Sequence, residues 1–223
     1  MANFAKKAEA LKLRKQEFSY SQIKQKIGVS KSTLSYWLKD YPLTKERIAE
    51  LRDHNEQRIE KYRETMKKKH DARLNKVYEL EKKNILPLNS RDIFILGLGL
   101  YWGEGAKRYN STLSVSNTDP AIIKFFILWL NKTLSVPKEK LKVHLQLYSD
   151  MDIKKEIEFW SKTTGISEKQ FIKPYIKESS LKAINHKGGF GHGTCNVKIG
   201  NVALYEKILM AIKTIADKYS MGV

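Results

Sequence analysis

Hydrophobic residues recur at helical spacing through residues 5–38. The inward positions of three short predicted helices are Ala5, Ala8, Leu11 and Leu13, then Ile23 and Ile27, then Leu34, Trp37 and Leu38. Gly28 can adopt the left-handed conformation that ends the second helix. Ser30 can cap the third helix, and Val29 fills the turn between the two. The pattern therefore predicts two consecutive helices joined by a tight turn, preceded by a supporting helix.

The composition of the chain changes between Pro42 and Pro87. This stretch contains neither Gly nor Pro, and it is rich in Glu, Lys, Arg and Gln, which favour helix. Its apolar residues are spaced irregularly, so one long helix or two helices are predicted as a solvated spacer. A dimeric coiled coil is the alternative, although no heptad pattern is sustained.

Residues 90–105 are the most apolar segment of the chain and are predicted to form a buried helix. Each glycine inside a helix costs about 1 kcal/mol relative to alanine, yet this segment carries Gly97, Gly99 and Gly103. Gly99 and Gly103 are four residues apart and share one face, where bare backbone permits the close approach of another helix. The same helix of a second subunit is the simplest partner. The alternative is a core helix whose glycines make room for neighbouring side chains.

Alternating hydrophobic and polar residues predict strands in the rest of the chain. The predicted strands are a hairpin over 105–117, then 140–148, an edge strand over 171–177 that contains Pro174, and 194–199. Helices are predicted over 120–134, 152–164 and 201–219. The fold class is therefore α+β.

The charge balance narrows the choice of partner. The chain has 223 residues with 42 Lys and Arg against 24 Asp and Glu, a formal net charge of +18. Such an excess favours a polyanion, either nucleic acid or an anionic membrane. No apolar run approaches the roughly 20 residues that span a bilayer, and the lone Cys195 excludes an internal disulfide. Nucleic acid is the favoured partner, no membrane contact is expected, and a cytoplasmic, nucleoid-associated location is predicted.

Residues 20–38 resemble the helix-turn-helix of resolvases, transposases and repressors, in the apolar positions and in the turn glycine Gly28. The resemblance implies that the second helix enters the major groove of duplex DNA. The predicted DNA-binding residues on its outer side are Lys31, Ser32, Ser35, Tyr36 and Lys39. A plain helical hairpin used for packing is the alternative.

The segment ending at Gly105 resembles the LAGLIDADG homing-endonuclease motif. Gly99 matches its first glycine, Gly103 its second small residue, Glu104 its final acid and Gly105 its closing glycine, whereas Trp102 replaces its first acid. The resemblance covers roughly residues 90–220 and implies a dimer built on these helices, with an antiparallel saddle-shaped sheet. It also implies that Glu104 of each subunit is catalytic and binds Mg²⁺ for DNA cleavage. A divalent cation bound to Glu104 would also offset the unfavourable interaction between its carboxylate and the negative end of the helix dipole.

The resulting domain assignment is a helix-turn-helix over 1–42, a charged helical linker over 43–88 and a LAGLIDADG-like mixed α/β domain over 89–223. Antiparallel sheets commonly leave one face in water. Here that face is predicted to contact DNA through Lys107, Tyr109, Thr112, Ser114, Lys142, His144, Gln146, Asn196 and Lys198. Lys198 is also a candidate catalytic residue, because it could support a scissile phosphate electrostatically. An ordinary solvated face is the alternative.

Three functions stay open at this point. The first is a sequence-specific, homodimeric, Mg²⁺-dependent DNA endonuclease. The second is a non-catalytic transcription regulator with a degenerate LAGLIDADG domain, which Trp102 and the lack of a certain second catalytic residue favour. The third is an RNA-binding protein that uses the wet sheet face.

Overall fold

The structure, a computed structural model, describes residues 2–51, 54–107, 111–178 and 191–219. The chain divides into two compact units, Met1–Leu86 and Pro87–Val223. None of the described helices is both long enough and apolar enough to cross a membrane.

The described residues of the first unit form helices and the turns that join them, without a strand. Its helices are α1 (Ala2–Lys15), α2 (Tyr20–Ile27), α3 (Lys31–Trp37), α4 (Lys45–Glu50) and α5 (His54–Ile85). The stretch predicted as one long helix or two is therefore two helices, α4 and α5.

Local signals explain where α2 and α3 begin and end. Ser19 and Gln22 form a reciprocal capping box at the start of α2, and Gly28 ends that helix in the left-handed conformation with φ 66°. Ser30 then caps α3 by accepting a hydrogen bond from the Thr33 N–H at 3.2 Å. The inner faces of α1, α2 and α3 meet in one small core, which contains Ala10, Ile23, Ile27, Val29, Leu34 and Leu38. The tight turn and the two helices follow the sequence prediction.

Buried contacts anchor the first half of α5 to this core. Glu60 accepts hydrogen bonds from the Arg14 guanidinium at 3.1 and 3.2 Å, and both side chains are buried. Arg63 lies over the ring of Tyr20 at 3.8 Å from its centroid. From residue 64 to residue 85 every side chain is exposed. The second half of α5 therefore contributes no buried side chain to the core of the first unit.

The second unit is α+β, as predicted. Its helices are α6 (Ser90–Glu104), α7 (Pro120–Leu134), α8 (Ile153–Thr164) and α9 (Val202–Tyr219), with two short 3₁₀ turns at Lys138–Lys140 and Glu168–Gln170. Its strands are β1 (Thr112–Asn117), β2 (Lys142–Tyr148), β3 (Phe171–Lys177) and β4 (Thr194–Gly200).

The strands form one four-stranded mixed sheet in the order β1-β4-β2-β3. The two pairs that β4 makes are antiparallel, but β2 and β3 are parallel. The prediction of a wholly antiparallel sheet is therefore wrong. Helix α8 lies between β2 and β3 along the chain and returns it to the same end of the sheet, which is the crossover that parallel strands require. The Pro174 strand lies at the edge, as predicted.

The hairpin predicted over 105–117 is only partly formed by the described residues. Its second arm is β1, whereas its first arm contributes an isolated bridge between Gly105 and Val115 and a hydrogen bond from the Ala106 N–H to the Ser114 carbonyl at 3.0 Å. The predicted turn begins at Tyr109, and residues 108–110 lie outside the described part of the chain.

One face of the sheet builds the core of the second unit. Leu113, Val115, Val143, Leu145, Val197 and other alternate residues of the strands are buried in one cluster with side chains of α6, α7 and α9. Because side chains alternate across a strand, the intervening polar residues lie on the opposite face. Within the described ranges, the helices therefore cover one face of the sheet, and the polar side chains of the strands lie on the other.

Candidate nucleic-acid interfaces

The first candidate interface is the outer side of α3. Leu34 and Leu38 are buried beneath this helix. Ser32, Tyr36 and Lys39 are exposed, whereas Lys31 and Ser35 are half-buried. Ser32, Tyr36 and Lys39 are thus on the side of α3 that faces away from the core, with Lys39 just beyond the end of the helix, whereas Lys31 lies beside Tyr20 and Glu60 at the edge of the core. Two hydroxyls, a phenol and two ammonium groups can hydrogen-bond to base edges and phosphates.

A small hydroxyl network orders the start of α3. Ser30 Oγ lies 2.9 Å from Ser32 Oγ and 2.8 Å from Thr33 Oγ1. The Ser32 side chain is therefore held by its neighbour rather than free to rotate. Donor and acceptor groups that are already oriented lose less entropy on binding.

Contacts of Arg14 hold the segments around α3 in place. Its Nε donates to the Tyr41 carbonyl at 2.8 Å, and a second nitrogen donates to the Phe18 carbonyl at 3.2 Å. The same guanidinium also lies over the Tyr20 ring. Burial raises the pKa of Tyr20, although the charges of Arg14 and Arg63 oppose this effect. Arg14 therefore connects α1 to the start of α2 and to the chain that follows α3.

The second candidate interface is a groove of about 600 Å³ on the polar face of the sheet. Its lining comes from β1, β2 and β4 and from the chain before β1. The lining residues are Ala106, Thr112, Ser114, Ser116, Lys142, His144, Gln146, Asn196, Lys198 and Gly200. None of them is acidic and two are lysines, so the groove suits an anionic ligand.

Strand register determines which groove side chains are neighbours. Lys198 on β4 lies opposite Ser114 on β1 and opposite Lys142 on β2. Asn196 lies opposite His144, and its Nδ2 donates to Ser116 Oγ at 2.6 Å. The groove therefore presents two adjacent lysines beside a row of hydroxyl, amide and imidazole groups. Such a combination can neutralise phosphates and hydrogen-bond to bases.

The groove brings together most, but not all, of the residues predicted for this face. Lys142, His144, Gln146, Asn196 and Lys198 line it. Lys107 is exposed, does not line the groove, and donates to the Gly105 carbonyl at 3.2 Å. Tyr109 lies outside the described residues. Sequence reasoning missed Ser116, although it continues the alternation of Thr112 and Ser114 along β1.

Glu104 is the last residue of α6, and its carboxylate is exposed. The Asn117 side-chain amide donates to its Oε2 at 3.3 Å. Two buried tyrosines fix the backbone that follows it, since Tyr101 donates to the Ala106 carbonyl at 2.6 Å and Tyr205 to the Lys107 carbonyl at 3.0 Å. Burial raises the pKa of Tyr101 to about 12, so its hydroxyl stays a donor at neutral pH.

The glycines of α6 lie in two different environments. A Cβ at Gly97 would overlap the indole ring of Trp129, so this glycine makes room inside the core. Gly99 and Gly103 have nothing within 4 Å of the position that a Cβ would occupy. Their face also exposes Ile95 and Trp102, at 46% and 41%. This open face combines bare backbone with apolar side chains.

A metal site is not formed by the described residues of a single chain. No three His, Cys, Asp or Glu side chains among them lie close enough to hold a metal ion. Glu104 has an amide as its neighbour rather than a second carboxylate. The described residues of one chain therefore do not by themselves provide a site for the Mg²⁺ that the LAGLIDADG resemblance implies.

Residues 1–52 match the family model of a homeodomain-like domain. The prediction of an N-terminal helix-turn-helix is thereby confirmed, and this homeodomain-like domain supports DNA binding. No LAGLIDADG domain is detected, so the resemblance of residues 90–220 depends on the motif residues alone. Searches of the curated proteins and of the solved structures give no match. The homeodomain-like domain ends before α5.

Proposed function

We propose that this protein binds duplex DNA sequence-specifically and reads its bases with α3. The observation that carries the proposal is the pairing of a buried inner face with an outer side of polar and basic residues on the third helix of a homeodomain-like domain. In three-helix domains of this kind the third helix lies in the major groove. This function would place the protein at the nucleoid.

Each outward residue of α3 has a distinct task in this proposal. Ser32 and Ser35 hydrogen-bond to base edges or to phosphates, since a hydroxyl both donates and accepts. Tyr36 is 52% exposed and supplies a phenol together with a large apolar ring surface. Lys31 and Lys39 neutralise phosphates, which strengthens binding without reading sequence.

The sheet groove is the second DNA contact of the proposal. Its two opposed lysines and its lack of acidic lining residues support an anionic ligand. His144, Gln146 and Asn196 supply imidazole and amide groups that could pair with base edges. Structured RNA presents the same phosphate charge and is therefore the competing ligand for this groove.

A competition experiment tests the choice of nucleic acid. A random-sequence duplex DNA library and a structured RNA library of equal length compete for the full chain at one fixed salt concentration. Duplex DNA is expected to win. Tyr36→Ala should lower DNA affinity, whereas Tyr219→Ala is the matched control, because Tyr219 is 78% exposed at the end of α9. Preferential retention of RNA, with Tyr36→Ala unchanged, would refute the proposal.

We propose that the protein forms a dimer in which the α6 helices of the two subunits are in contact. Its support is the open face at Gly99 and Gly103, where a second α6 can approach the bare backbone closely. Ile95 and Trp102 on that face supply apolar surface for such a contact. A two-fold pair of this kind would bring the two Glu104 residues towards one another, because each ends its helix.

Mg²⁺-dependent DNA cleavage is the second candidate function, and the exposed Glu104 at the end of the open α6 face is the observation that favours it. It needs two subunits, since one chain does not provide a metal site among its described residues. Lys198 would then face the scissile phosphate from the groove. Duplex libraries incubated with Mg²⁺ and either wild type or Glu104→Gln test it. Cleavage by wild type alone supports a nuclease, whereas intact DNA with both proteins leaves the non-catalytic regulator.

A further inference from the structure

One side of α5 carries a row of exposed basic residues, which we call the basic stripe and define as Arg58, Lys61, Lys69, Lys76 and Lys83. At 3.6 residues per turn these five side chains fall within about 80° of arc on one side of the helix. All five are exposed. With a rise of 1.5 Å per residue, the basic stripe is about 38 Å long. Glu79 is the one acidic residue within this arc, on the same side of it as Lys61, and Lys82 lies 3.8 Å from that carboxylate.

The charges of the basic stripe are not neutralised by the described part of the chain. None of its five cations makes an ion pair within 4.0 Å there. Other lysines of α5 do, since Lys67 lies 3.9 Å from Asp40 and Lys68 lies 2.8 Å from Glu64. These five cations are thus left without an ion-pair partner among the described residues, and apart from Glu79 the acids and the pairing lysines of α5 lie outside their arc.

The opposite side of α5 fixes the direction in which the basic stripe faces. Glu60 and Arg63 contact the homeodomain-like domain, through Arg14 and Tyr20. At 100° per residue these two positions lie across the helix from the basic stripe. The basic stripe therefore faces away from the homeodomain-like domain, and the contacts of Glu60 and Arg63 hold the first half of α5 in this orientation.

We propose that the basic stripe binds the phosphate backbone of duplex DNA outside the bases that α3 reads. Duplex DNA carries one negative charge per about 1.7 Å of axis, and a rigid row of unpaired cations some 38 Å long is complementary to that charge. The inference rests on the proposed function, because it takes DNA as the ligand of the unit that contains α3. It makes α5 a part of the binding surface rather than a spacer.

Salt dependence of binding tests the inference on the full chain. Lys69→Gln/Lys76→Gln removes two stripe charges, and Lys67→Gln/Lys68→Gln removes two ion-paired charges from the same helix. Glutamine keeps helix propensity close to that of lysine, and circular dichroism checks that α5 remains helical. The readout is the slope of log Kobs against log salt for a 40-base-pair random-sequence duplex. The slope should flatten by about 1.8 for the stripe variant, because each phosphate that is no longer neutralised changes it by roughly 0.9, and by far less for the control.

The outcomes separate this inference from the function on which it rests. If the two double variants have equal slopes while wild type still binds duplex DNA, the basic stripe does not bind the phosphate backbone. The proposal that α3 reads the bases would then be unaffected. Failure of wild type to bind duplex DNA would overturn both. Tyr36→Ala should lose discrimination between sequences while keeping the contribution of the stripe to the slope.

Discussion

Lys142 and Lys198 lie directly opposite each other on the antiparallel strands β2 and β4. Like charges at directly opposed positions destabilise a sheet. The lining of the groove around them contains no acidic residue to compensate. A phosphate placed between the two ammonium groups would replace this repulsion with two attractions. The same two charges therefore destabilise the free sheet and increase its affinity for an anion.

Lys198→Gln should consequently have opposite effects on stability and binding. We expect the free protein to gain about 0.2–1 kcal/mol, the size of a cross-strand pair, and the DNA affinity to fall. Urea unfolding measures the first effect and fluorescence anisotropy with a labelled duplex the second. Lys207→Gln removes an exposed charge from α9 and is the control. Equal effects of the two substitutions would mean that the groove does not bind DNA.

Alanine substitutions at Gly97 and Gly99 should differ in sign, although the glycines are two residues apart in one helix. Gly97→Ala forces a methyl group into the Trp129 ring, and overpacking of this kind costs about 1–3 kcal/mol. Gly99→Ala meets open space and should stabilise an isolated chain by up to about 1 kcal/mol through helix propensity. Thermal unfolding at low protein concentration measures both. A large loss of stability at Gly99 in a monomeric sample would contradict the open face.

The same Gly99→Ala variant tests the proposed dimer. Sedimentation should find wild type as a dimer at a concentration where Gly99→Ala is largely monomeric, because the added methyl keeps the two α6 backbones apart. Wild type that sediments as a monomer with and without DNA would rule out the dimer, and the two-subunit nuclease with it.

The buried ion pair of Arg14 and Glu60 should be essential for the first unit. The side chains are 1% and 7% exposed, and removing one partner of a buried pair costs about 3–5 kcal/mol, since the other charge is left unpaired. Glu60→Gln should therefore reduce hydrogen-exchange protection throughout α1, α2 and α3. Glu64→Gln removes an exposed carboxylate one turn later in α5 and should leave that protection unchanged. Similar exchange in the two variants would refute this role of the pair.

The elements of the homeodomain-like domain could be predicted because their signals are local. Gly28 and Ser30 mark the turn within three residues, and Ile23, Ile27 and Leu34 give the helical spacing. The attachment of α5 could not be predicted in this way. Arg14 and Glu60 are 46 residues apart, and many charged residues in the chain could have formed such a pair.

The sheet shows the same limit of sequence reasoning. Alternation identified β2 and β4 and the polar residues Lys142 and Lys198, but it carries no information about strand direction. The parallel pairing of β3 depends on where α8 returns the chain, which is a property of the packed unit. The two roles of the α6 glycines were likewise fixed only by Trp129, which fills the space beside Gly97 and leaves Gly99 open.

Selection of bound sites from a random duplex library, with the full chain as bait, tests the central claim most directly. The account predicts that wild type enriches one short sequence motif. Ser32→Ala and Tyr36→Ala should weaken or change that motif, whereas Lys207→Gln should leave it unaltered. Enrichment of no motif by wild type, or of an identical motif by the α3 variants, would contradict the claim that α3 reads DNA.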